Sequence, residues 1–370
     1  MLACVRRNCP TGVLLRDAAD ADGVLGTVDG GFVIAECEGR GETRGACAAS
    51  IIRFVTAQDR LRELSDFAAP WAVWIAATLR LPDHIEAGAA RLEDLSDRAR
   101  TDPDALMRLL RYLVACGVFA ETAGRYENTE LSRLLLDEGG WRQWLNLDGA
   151  PGVWAKSWTR LLDGVRTGSP GRDEGWFYDE LARTGRGASF DALMAAQVQT
   201  NAEQIAARYD WRSVERVVDV GGGTGVLLRT LLATYEHLHG TLFDLPQVVE
   251  SVEPAERLTI VPGNMLDDTL PAADAHILSQ IIHGWPDAGA AQILRRCTEA
   301  APRILLVEGV LPERPSAGDA SFDLFMLTLT GGRQRTEDEF RRLAESVGLE
   351  LRSTQPLATG NSVIELHVTR

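Results

Sequence analysis

The first half of the chain, from about residue 51 to 207, carries apolar residues at the three- and four-residue spacing of amphipathic helices. Asp102 and Pro103 predict a helix start, because Asp caps free backbone N–H groups and Pro is tolerated at the first helical position. The apolar stripe that follows ends at Gly117. Residues 118–129 then predict a short hairpin. Helices followed by a hairpin are typical of a winged-helix element.

From about residue 208 the pattern changes to short apolar runs that alternate with helical stretches. This alternation predicts an α/β fold, with a mostly parallel sheet covered by helices. The runs lie at 217–220, 241–243, 258–261, 275–278, 304–307, 349–352 and 363–368. The last two lie closest together and are expected to form an antiparallel edge pair. We therefore expect a helical domain at 51–207 and a doubly wound domain at 208–370.

Residues 1–50 show no sustained periodicity and are rich in glycine and other small residues. We expect a disordered or poorly structured extension here, with a small strand pair within 24–35 as the alternative. Four of the six cysteines fall in this segment, and none forms a metal-type CxxC pair. We therefore expect no metal site and assign the segment no function.

Composition narrows the classes of partner. A chain of 370 residues fits two domains, and its formal net charge of −15 argues against a nucleic-acid partner, which usually meets a basic face. No apolar run reaches the roughly 18 residues of a membrane span. The start of the chain lacks a clean signal peptide, and the cysteine usage fits a reducing compartment. We expect a cytoplasmic protein that contacts no membrane.

The most informative motif is the run at 217–225, where a buried strand passes into a glycine-rich loop and then a helix. Glycine lets the backbone turn tightly and approach a ligand. The third glycine of a dinucleotide fingerprint is replaced by Val226. Asp219 would oppose a pyrophosphate but suits the ammonium group of a methionine moiety. Asp244 ends the next strand, where a carboxylate can accept both ribose hydroxyls. Together these features favour S-adenosylmethionine over NAD.

Four segments occur in the same order as motifs of a known family: DVGGGTG at 219–225, FDLP at 243–246, GNM at 263–265 and IHGW at 282–285. They resemble the small-molecule O-methyltransferases, which include plant phenylpropanoid and flavonoid enzymes and bacterial enzymes that tailor polyketides and other natural products. The resemblance covers about residues 55–370. It implies a seven-stranded, doubly wound, Rossmann-like C-terminal domain. It also implies a helical N-terminal domain whose winged-helix element serves homodimerisation rather than DNA binding.

The resemblance also implies which residues bind S-adenosylmethionine. The family usually has Asp-Met at the adenine-binding position, where this chain has Asn264 and Met265. Asn264 still offers a hydrogen-bond donor and an acceptor. The full cofactor-binding set implied is Asp219, Gly221, Gly223, Asp244, Leu245, Asn264, Met265, Ser279 and Gln280.

The catalytic residues follow from the same resemblance. A phenol has a pKa of about 10, so a positioned base helps its attack on a methyl group, and histidine, with a pKa of about 6.5, suits that role. His283 occupies the position of the family's general base. Glu308 matches the first of two acids beside that base, but Gln334 stands at the second position. Gly284 replaces the usual Asp after the histidine.

The acceptor is expected to be a small aromatic molecule. A Phe-x-x-x-Met pattern matches the helix that lines the family's acceptor pocket, and further candidates come from two later segments. The substrate-binding set is Phe190, Met194, Trp285, Asp323 and Met326, with Phe322 as a further candidate. Ordinary core packing at helical spacing is the alternative for each.

Several functions stay open at this point. The first is methylation of an aromatic hydroxyl, in secondary-metabolite biosynthesis. Gln334 and Gly284 leave room for a second, in which the same cofactor serves C- or N-methylation or the hydroxylation of a polyketide. The others are a nicotinamide oxidoreductase, opposed by Val226 and Asp219, and a winged-helix regulator, opposed by the acidic charge.

Overall fold

The structure is a computed structural model that describes residues 24–28, 31–34, 53–171 and 176–369. The chain divides into two compact units, Met1–Trp71 and Ala72–Arg370. In the first unit, strands β1 (Val24–Val28), β2 (Gly31–Ile34) and β3 (Arg53–Val55) form an antiparallel sheet and are followed by helix α1 (Ala57–Ser65).

The hairpin of β1 and β2 falls within 1–50, where we expected disorder or weak structure with a strand pair as the alternative. The structure shows that strand pair at 24–34. The other residues of this segment, including its four cysteines, lie outside the described residues.

The helical region runs from the end of the first unit into the second. In chain order its elements are α2 (Ala68–Thr78), α3 (Leu81–Glu86), α4 (Leu92–Ala99), α5 (Pro103–Ala115), β4 (Phe119–Thr122), β5 (Arg125–Asn128), α6 (Glu130–Arg133), α7 (Arg142–Leu145), α8 (Pro151–Ser157), α9 (Leu161–Thr167), α10 (Trp176–Arg183) and α11 (Gly187–Arg208).

The local signals read from the sequence explain where α5 begins and ends. The Asp102 side chain accepts a hydrogen bond from the Ala105 N–H at 2.9 Å, as an N-cap does. Gly117 follows the helix with a φ of +73°, a conformation that glycine adopts without a steric penalty. Strands β4 and β5 then pair antiparallel, as the hairpin prediction required. The winged-helix interpretation of this region stays a prediction.

The α/β region contains β6 (Arg216–Val220), α12 (Val226–Thr234), β7 (His239–Asp244), α13 (Pro246–Val249), β8 (Leu258–Pro262), β9 (Ala275–Ser279), α14 (Asp287–Ala300), β10 (Arg303–Leu311), α15 (Ala317–Leu329), β11 (Arg335–Thr336), α16 (Glu337–Glu345), β12 (Leu349–Pro356) and β13 (Asn361–Val368). Seven strands lie side by side in the order β12-β13-β10-β9-β6-β7-β8, and the short β11 pairs parallel with the last residues of β10. Strands β6 to β10 pair parallel, whereas β13 pairs antiparallel with β10 and β12. The predicted α/β sheet and its antiparallel edge are confirmed.

Helices cover both faces of this sheet because successive apolar residues of each strand point to opposite sides. Val217 belongs to a core shared with α11 and α12, whereas Val218 belongs to a second core shared with α14 and α16. Both residues are about 1% exposed. The apolar runs are continuous rather than alternating because the strands are buried on both faces.

The strand order locates the place where a ligand is expected. The chain passes from β6 to β7 and β8 on one side, and then returns to β9 on the other side of β6. In open α/β sheets, ligands bind beyond the carboxyl ends of the strands at such a switch point. Here those ends lead into the glycine loop at 221–225 and into the segment at 279–285. No helix within the described ranges is long and apolar enough to cross a membrane.

Candidate active site

The glycine loop after β6 is shaped by close packing as well as by its turn. Gly221 has a φ of +74°, and a Cβ on it would lie 2.6 Å from the Ile281 Cδ1 atom and 3.0 Å from the Met265 Cε atom. Its N–H donates to the Phe243 carbonyl oxygen at 2.7 Å. Gly223 also has a positive φ, of +58°. The loop backbone is therefore held close to β7 and to the segment after β9.

Asp219 lies directly beneath this loop. A Cβ on Gly222 would be 2.6 Å from the Asp219 Oδ2 atom, and the Asp219 side chain is 1% exposed. Neither of its carboxylate oxygens has a hydrogen-bond partner in the structure. Burial, together with the nearby Asp244 carboxylate, raises the pKa of Asp219 to about 7. A buried carboxylate without a partner fits a cationic ligand group, because such a group would compensate the cost of its burial.

Asp244, the last residue of β7, is oriented by two backbone donors. The Gly223 N–H donates to its Oδ2 at 2.8 Å, and the Leu245 N–H donates to its Oδ1 at 2.7 Å. Burial raises the pKa of Asp244, and the Asp191 carboxylate adds to that effect, while the two N–H bonds oppose it. The structure thus brings Asp219, Gly223, Asp244 and Leu245 together around one loop. Each oxygen of Asp244 keeps a further lone pair for a ribose hydroxyl.

The adenine candidates lie beside the same loop. Met265 packs against Gly221, where its Cε atom leaves no room for a Cβ. The Asn264 carboxamide shapes its own turn, because its Oδ1 accepts from the Leu266 N–H at 3.0 Å and its Nδ2 donates to the Asp267 Oδ2 at 2.9 Å. One N–H and one lone pair of that amide remain for a ligand.

Two further cofactor candidates lie at the end of β9, Ser279 as its last residue and Gln280 directly after it. The Ser279 hydroxyl is buried and has no hydrogen-bond partner. Gln280 has a φ of +59°, which a residue with a side chain rarely adopts, and its N–H donates to the Val307 carbonyl at 2.9 Å. Such backbone strain clusters at ligand-binding sites.

His283 lies in a short turn directly after this segment, and Glu308 on β10 holds its ring. The His283 Nδ1 atom lies 2.6 Å from the Glu308 Oε2 atom. The other carboxylate oxygen accepts from the Ile282 N–H at 2.6 Å and from the His283 N–H at 3.3 Å. Glu308 is fully buried. A carboxylate on Nδ1 fixes the ring orientation, leaves Nε2 as the proton acceptor and stabilises an imidazolium.

Gln334 is close in the fold but is not bonded to the imidazole. It is 6% exposed, its backbone N–H donates to the Asp323 Oδ1 at 2.7 Å, and its side-chain Nε2 has no hydrogen-bond partner. A Cβ on Gly309 would lie 2.9 Å from the Gln334 Oε1 atom, so this amide packs against β10 beside Glu308. Of the two residues predicted to support the imidazole ring, Glu308 contacts it and Gln334 does not hydrogen-bond to it.

Most of the predicted acceptor residues meet in one apolar cluster. Phe190 and Met194 on α11 pack against a core that includes Trp154 and Met326. The Phe322 ring on α15 contacts the His283 imidazole edge-on, with ring centroids 5.7 Å apart.

Two predicted acceptor residues are not among the residues of this apolar cluster. Trp285 packs in the core shared with α14 and α16. Asp323 is engaged with the Gln334 backbone. Phe322, and not Trp285, is therefore the predicted acceptor residue whose ring contacts the His283 imidazole.

Two residues near Asp244 were not singled out from the sequence. Burial, together with the nearby Asp244 and Asp191 carboxylates, raises the pKa of Tyr178 to about 12. The Tyr178 ring meets the Phe190 ring edge-on at 6.1 Å. Tyr178 and Asp191 thus extend the site into the helical region. The position of Asp191 directly after Phe190 was the only sequence signal for either residue.

Family models match most of the described chain. The model of the O-methyltransferase domain matches residues 159–350, and the model of the O-methyltransferase dimerisation domain matches residues 61–138. With the glycine loop, Asp244 and the His283–Glu308 pair in place, the chain belongs to the O-methyltransferase family.

Two relatives from Streptomyces are similar over most of this chain. The chain is 37% identical to a 2,7-dihydroxy-5-methyl-1-naphthoate 7-O-methyltransferase of Streptomyces carzinostaticus, over 80% of this chain and 94% of that protein. It is 39% identical to an aclacinomycin 10-hydroxylase of Streptomyces purpurascens, over 79% of this chain and 84% of that protein.

The fold of this chain is also similar to that of a solved structure. The crystal structure of an O-methyltransferase from neocarzinostatin biosynthesis, in complex with S-adenosylmethionine and 2-hydroxy-5-methyl naphthoic acid, matches with a TM-score of 0.76 at 37% identity. The match covers 83% of this chain and 98% of that one. The fold predicted for the second half of the chain is confirmed by this likeness.

Proposed function

We propose that the protein is an S-adenosylmethionine-dependent O-methyltransferase that methylates a hydroxyl group of a small aromatic natural product, in antibiotic biosynthesis. The observation that carries the proposal is the 2.6 Å contact between His283 Nδ1 and Glu308 Oε2, next to the glycine loop. The names of the relatives support the substrate class, because they include methyltransferases of naphthoate, mitomycin and phenazine compounds.

The residues around the loop fit S-adenosylmethionine. The unpartnered carboxylate of Asp219 suits the ammonium group, and Asp244 suits the ribose hydroxyls. We propose that the backbone of Gly221, Gly223 and Leu245 lies close to the bound cofactor. The remaining residues of the proposed cofactor site are Asn264, Met265, Ser279 and Gln280. When bound, the cofactor supplies an electrophilic methyl group on a sulfonium.

His283 acts as the general base in this proposal. Its Nε2 takes the proton of the acceptor hydroxyl, and the Glu308 carboxylate stabilises the imidazolium that results. Gln334 is neutral, so it cannot share that charge, and we propose that it packs beside Glu308 and limits the water around it. Such a base contributes about 10² to 10⁴ in rate.

The acceptor pocket is proposed to lie where the helical region meets α15. Phe190, Met194 and Met326 would contact the flat face of an aromatic acceptor, and Phe322 would guide it to the imidazole. We propose that Trp285 and Asp323 act at the edge of this pocket. An apolar lining with few polar groups is typical of small-molecule sites.

We also propose that the protein forms a homodimer through its helical region and acts in the cytoplasm, without nucleic acid or membrane as partners. The match to the dimerisation-domain model supports the first point. The net charge of −15 supports the absence of a nucleic-acid partner. Across the same ranges, no group of three or more potential metal ligands occurs.

The test is product identification. The protein is incubated with S-adenosylmethionine carrying a labelled methyl group and with a library of phenols, naphthoates and phenazines, and the products are analysed by mass spectrometry. We expect a labelled methyl group on an acceptor oxygen. Failure of the protein to bind S-adenosylhomocysteine in calorimetry, with no labelled product, would overturn the proposal.

A second candidate function is hydroxylation of a polyketide. The aclacinomycin 10-hydroxylase at 39% identity favours it. The same mass spectra distinguish the two, because methylation adds the mass of a CH₂ group and the label, whereas hydroxylation adds one oxygen atom and no label.

A further inference from the structure

A buried arginine donates hydrogen bonds to the turn that carries His283. Arg335, on the short strand β11, has a side chain that is 1% exposed. Its Nη1 donates to the Ile282 carbonyl at 3.0 Å, and its Nη2 donates to the Trp285 carbonyl at 2.9 Å. One guanidinium group therefore bonds the backbone on both sides of His283.

The remaining donors of the Arg335 guanidinium are also used. The Nε and Nη2 atoms both donate to the Asp287 Oδ1, at 3.0 and 2.8 Å, and Nη1 reaches the Arg333 carbonyl at 3.4 Å. Arginine has five N–H donors in a fixed fork, and all are satisfied here. Burial lowers the pKa of Arg335, and its bond to Asp287 opposes that shift. A buried guanidinium with every donor engaged holds its partners in one geometry.

The same segment also fixes His283 directly. The Arg333 N–H donates to the His283 carbonyl oxygen at 2.9 Å. A Cβ on Gly332 would lie 2.1 Å from that oxygen, so only glycine fits at position 332 beside this turn. The imidazole is thus held by Glu308 at the ring and by residues 332–335 at the backbone.

We propose that Arg335 and Asp287 form a clamp that positions His283, so that its Nε2 faces the acceptor hydroxyl. This rests on the proposed role of His283 as the base. Arg335 and Asp287 are positioning residues, since neither is placed to touch the acceptor. A base must lie within hydrogen-bond reach of the proton that it takes, and a displacement of about 1 Å can cost about 10²-fold in rate.

The test is a double-mutant cycle on turnover of a phenolic acceptor. Asp287→Ala removes the exposed end of the clamp, whose side chain is 61% exposed, and leaves two donors of the buried Arg335 without a partner, so the Tm of the variant is measured beside its kinetics. We expect kcat to fall about tenfold, with KM for S-adenosylmethionine and Kd for S-adenosylhomocysteine within about twofold. In the His283→Ala background, the same substitution should lower kcat no further, because no base remains to be positioned. Arg335→Lys keeps the charge but loses the fork, and should resemble Asp287→Ala.

Asp338→Ala is the matched control, since that carboxylate is 81% exposed and follows the same segment. It should leave kcat unchanged. The clamp is overturned if Asp287→Ala lowers kcat equally in both backgrounds, since a general structural role would do so, or if it leaves kcat unchanged. Unchanged turnover of His283→Ala would instead remove the proposed base, and the clamp with it. If the wild-type protein does not bind S-adenosylhomocysteine at all, that result counts against the proposed function and not against the clamp.

Discussion

The buried carboxylate of Asp219 should make the free protein less stable than an amide at that position would. Asp219→Asn keeps the side-chain shape and removes the charge. The pKa of Asp219 is raised from 3.8 to about 7. The folded state therefore holds this proton more tightly than the unfolded state does. Stability falls as pH rises between these two values and is constant above the higher one.

The magnitude follows from that shift. One pKa unit corresponds to about 1.4 kcal/mol, so the raised pKa of Asp219 costs the folded state about 4 kcal/mol of stability at pH 8 and about 2 kcal/mol at pH 5. The advantage of Asp219→Asn over the wild type should therefore grow by about 2 to 3 kcal/mol between these pH values. For a chain of this size, that is about 3 to 4 °C in Tm.

Thermal unfolding of both proteins at pH 5 and pH 8, without cofactor, measures this difference. Calorimetry at pH 8 should show that Asp219→Asn also weakens S-adenosylhomocysteine binding about tenfold, because the ammonium group loses a charged partner. Asp97→Asn, at an exposed carboxyl, is the control and should show neither effect. A Tm difference that stays constant with pH would refute the reasoning about the buried charge.

Two further predictions concern the loop and the base. Gly221→Ala places a Cβ 2.6 Å from Ile281 at a φ of +74°, so calorimetry should show at least about tenfold weaker S-adenosylhomocysteine binding; unchanged affinity would contradict the packing of the loop. Glu308→Gln removes the charge beside His283 and should lower kcat about 10²-fold while the S-adenosylhomocysteine Kd stays within about twofold; full turnover in steady-state kinetics would show that the carboxylate does not support the base.

The sheet and the glycine loop could be predicted from the sequence because both depend on local patterns. Continuous apolar runs mark strands buried on both faces, and Asp102 marks its helix start by its own hydrogen bond. The location of the cofactor site then follows from the strand order. Asp219 and Asp244 were predicted because each ends or nearly ends a strand at that edge.

The burial of Glu308, which supports the base, was harder to predict from the sequence. The apolar pattern predicts a strand that ends at residue 307, but β10 continues to Leu311 and encloses Glu308. A charged residue interrupts the apolar run, so its complete burial can be known only from its partners, Ile282 and His283. The resemblance to the family, rather than the pattern, assigned Glu308.

Arg335 is the clearest case of a residue that the sequence does not reveal. Arginine is mostly found at surfaces, and a polar neighbourhood such as 333–339 predicts exposure. It is buried because the carbonyl groups of Ile282 and Trp285 and the carboxylate of Asp287, all from one segment about 50 residues earlier in the chain, accept its hydrogen bonds. Such convergence depends on tertiary packing.

The central claim is that a histidine held by Glu308 acts as the base for methyl transfer to oxygen. It is tested most directly by single-turnover methylation of an accepted phenol by wild type and His283→Ala, with S-adenosylhomocysteine affinity measured in parallel. We expect the variant to lose about 10²-fold or more in rate while its affinity stays within about twofold. A variant that methylates at the wild-type rate would contradict the claim, because binding geometry alone would then account for catalysis.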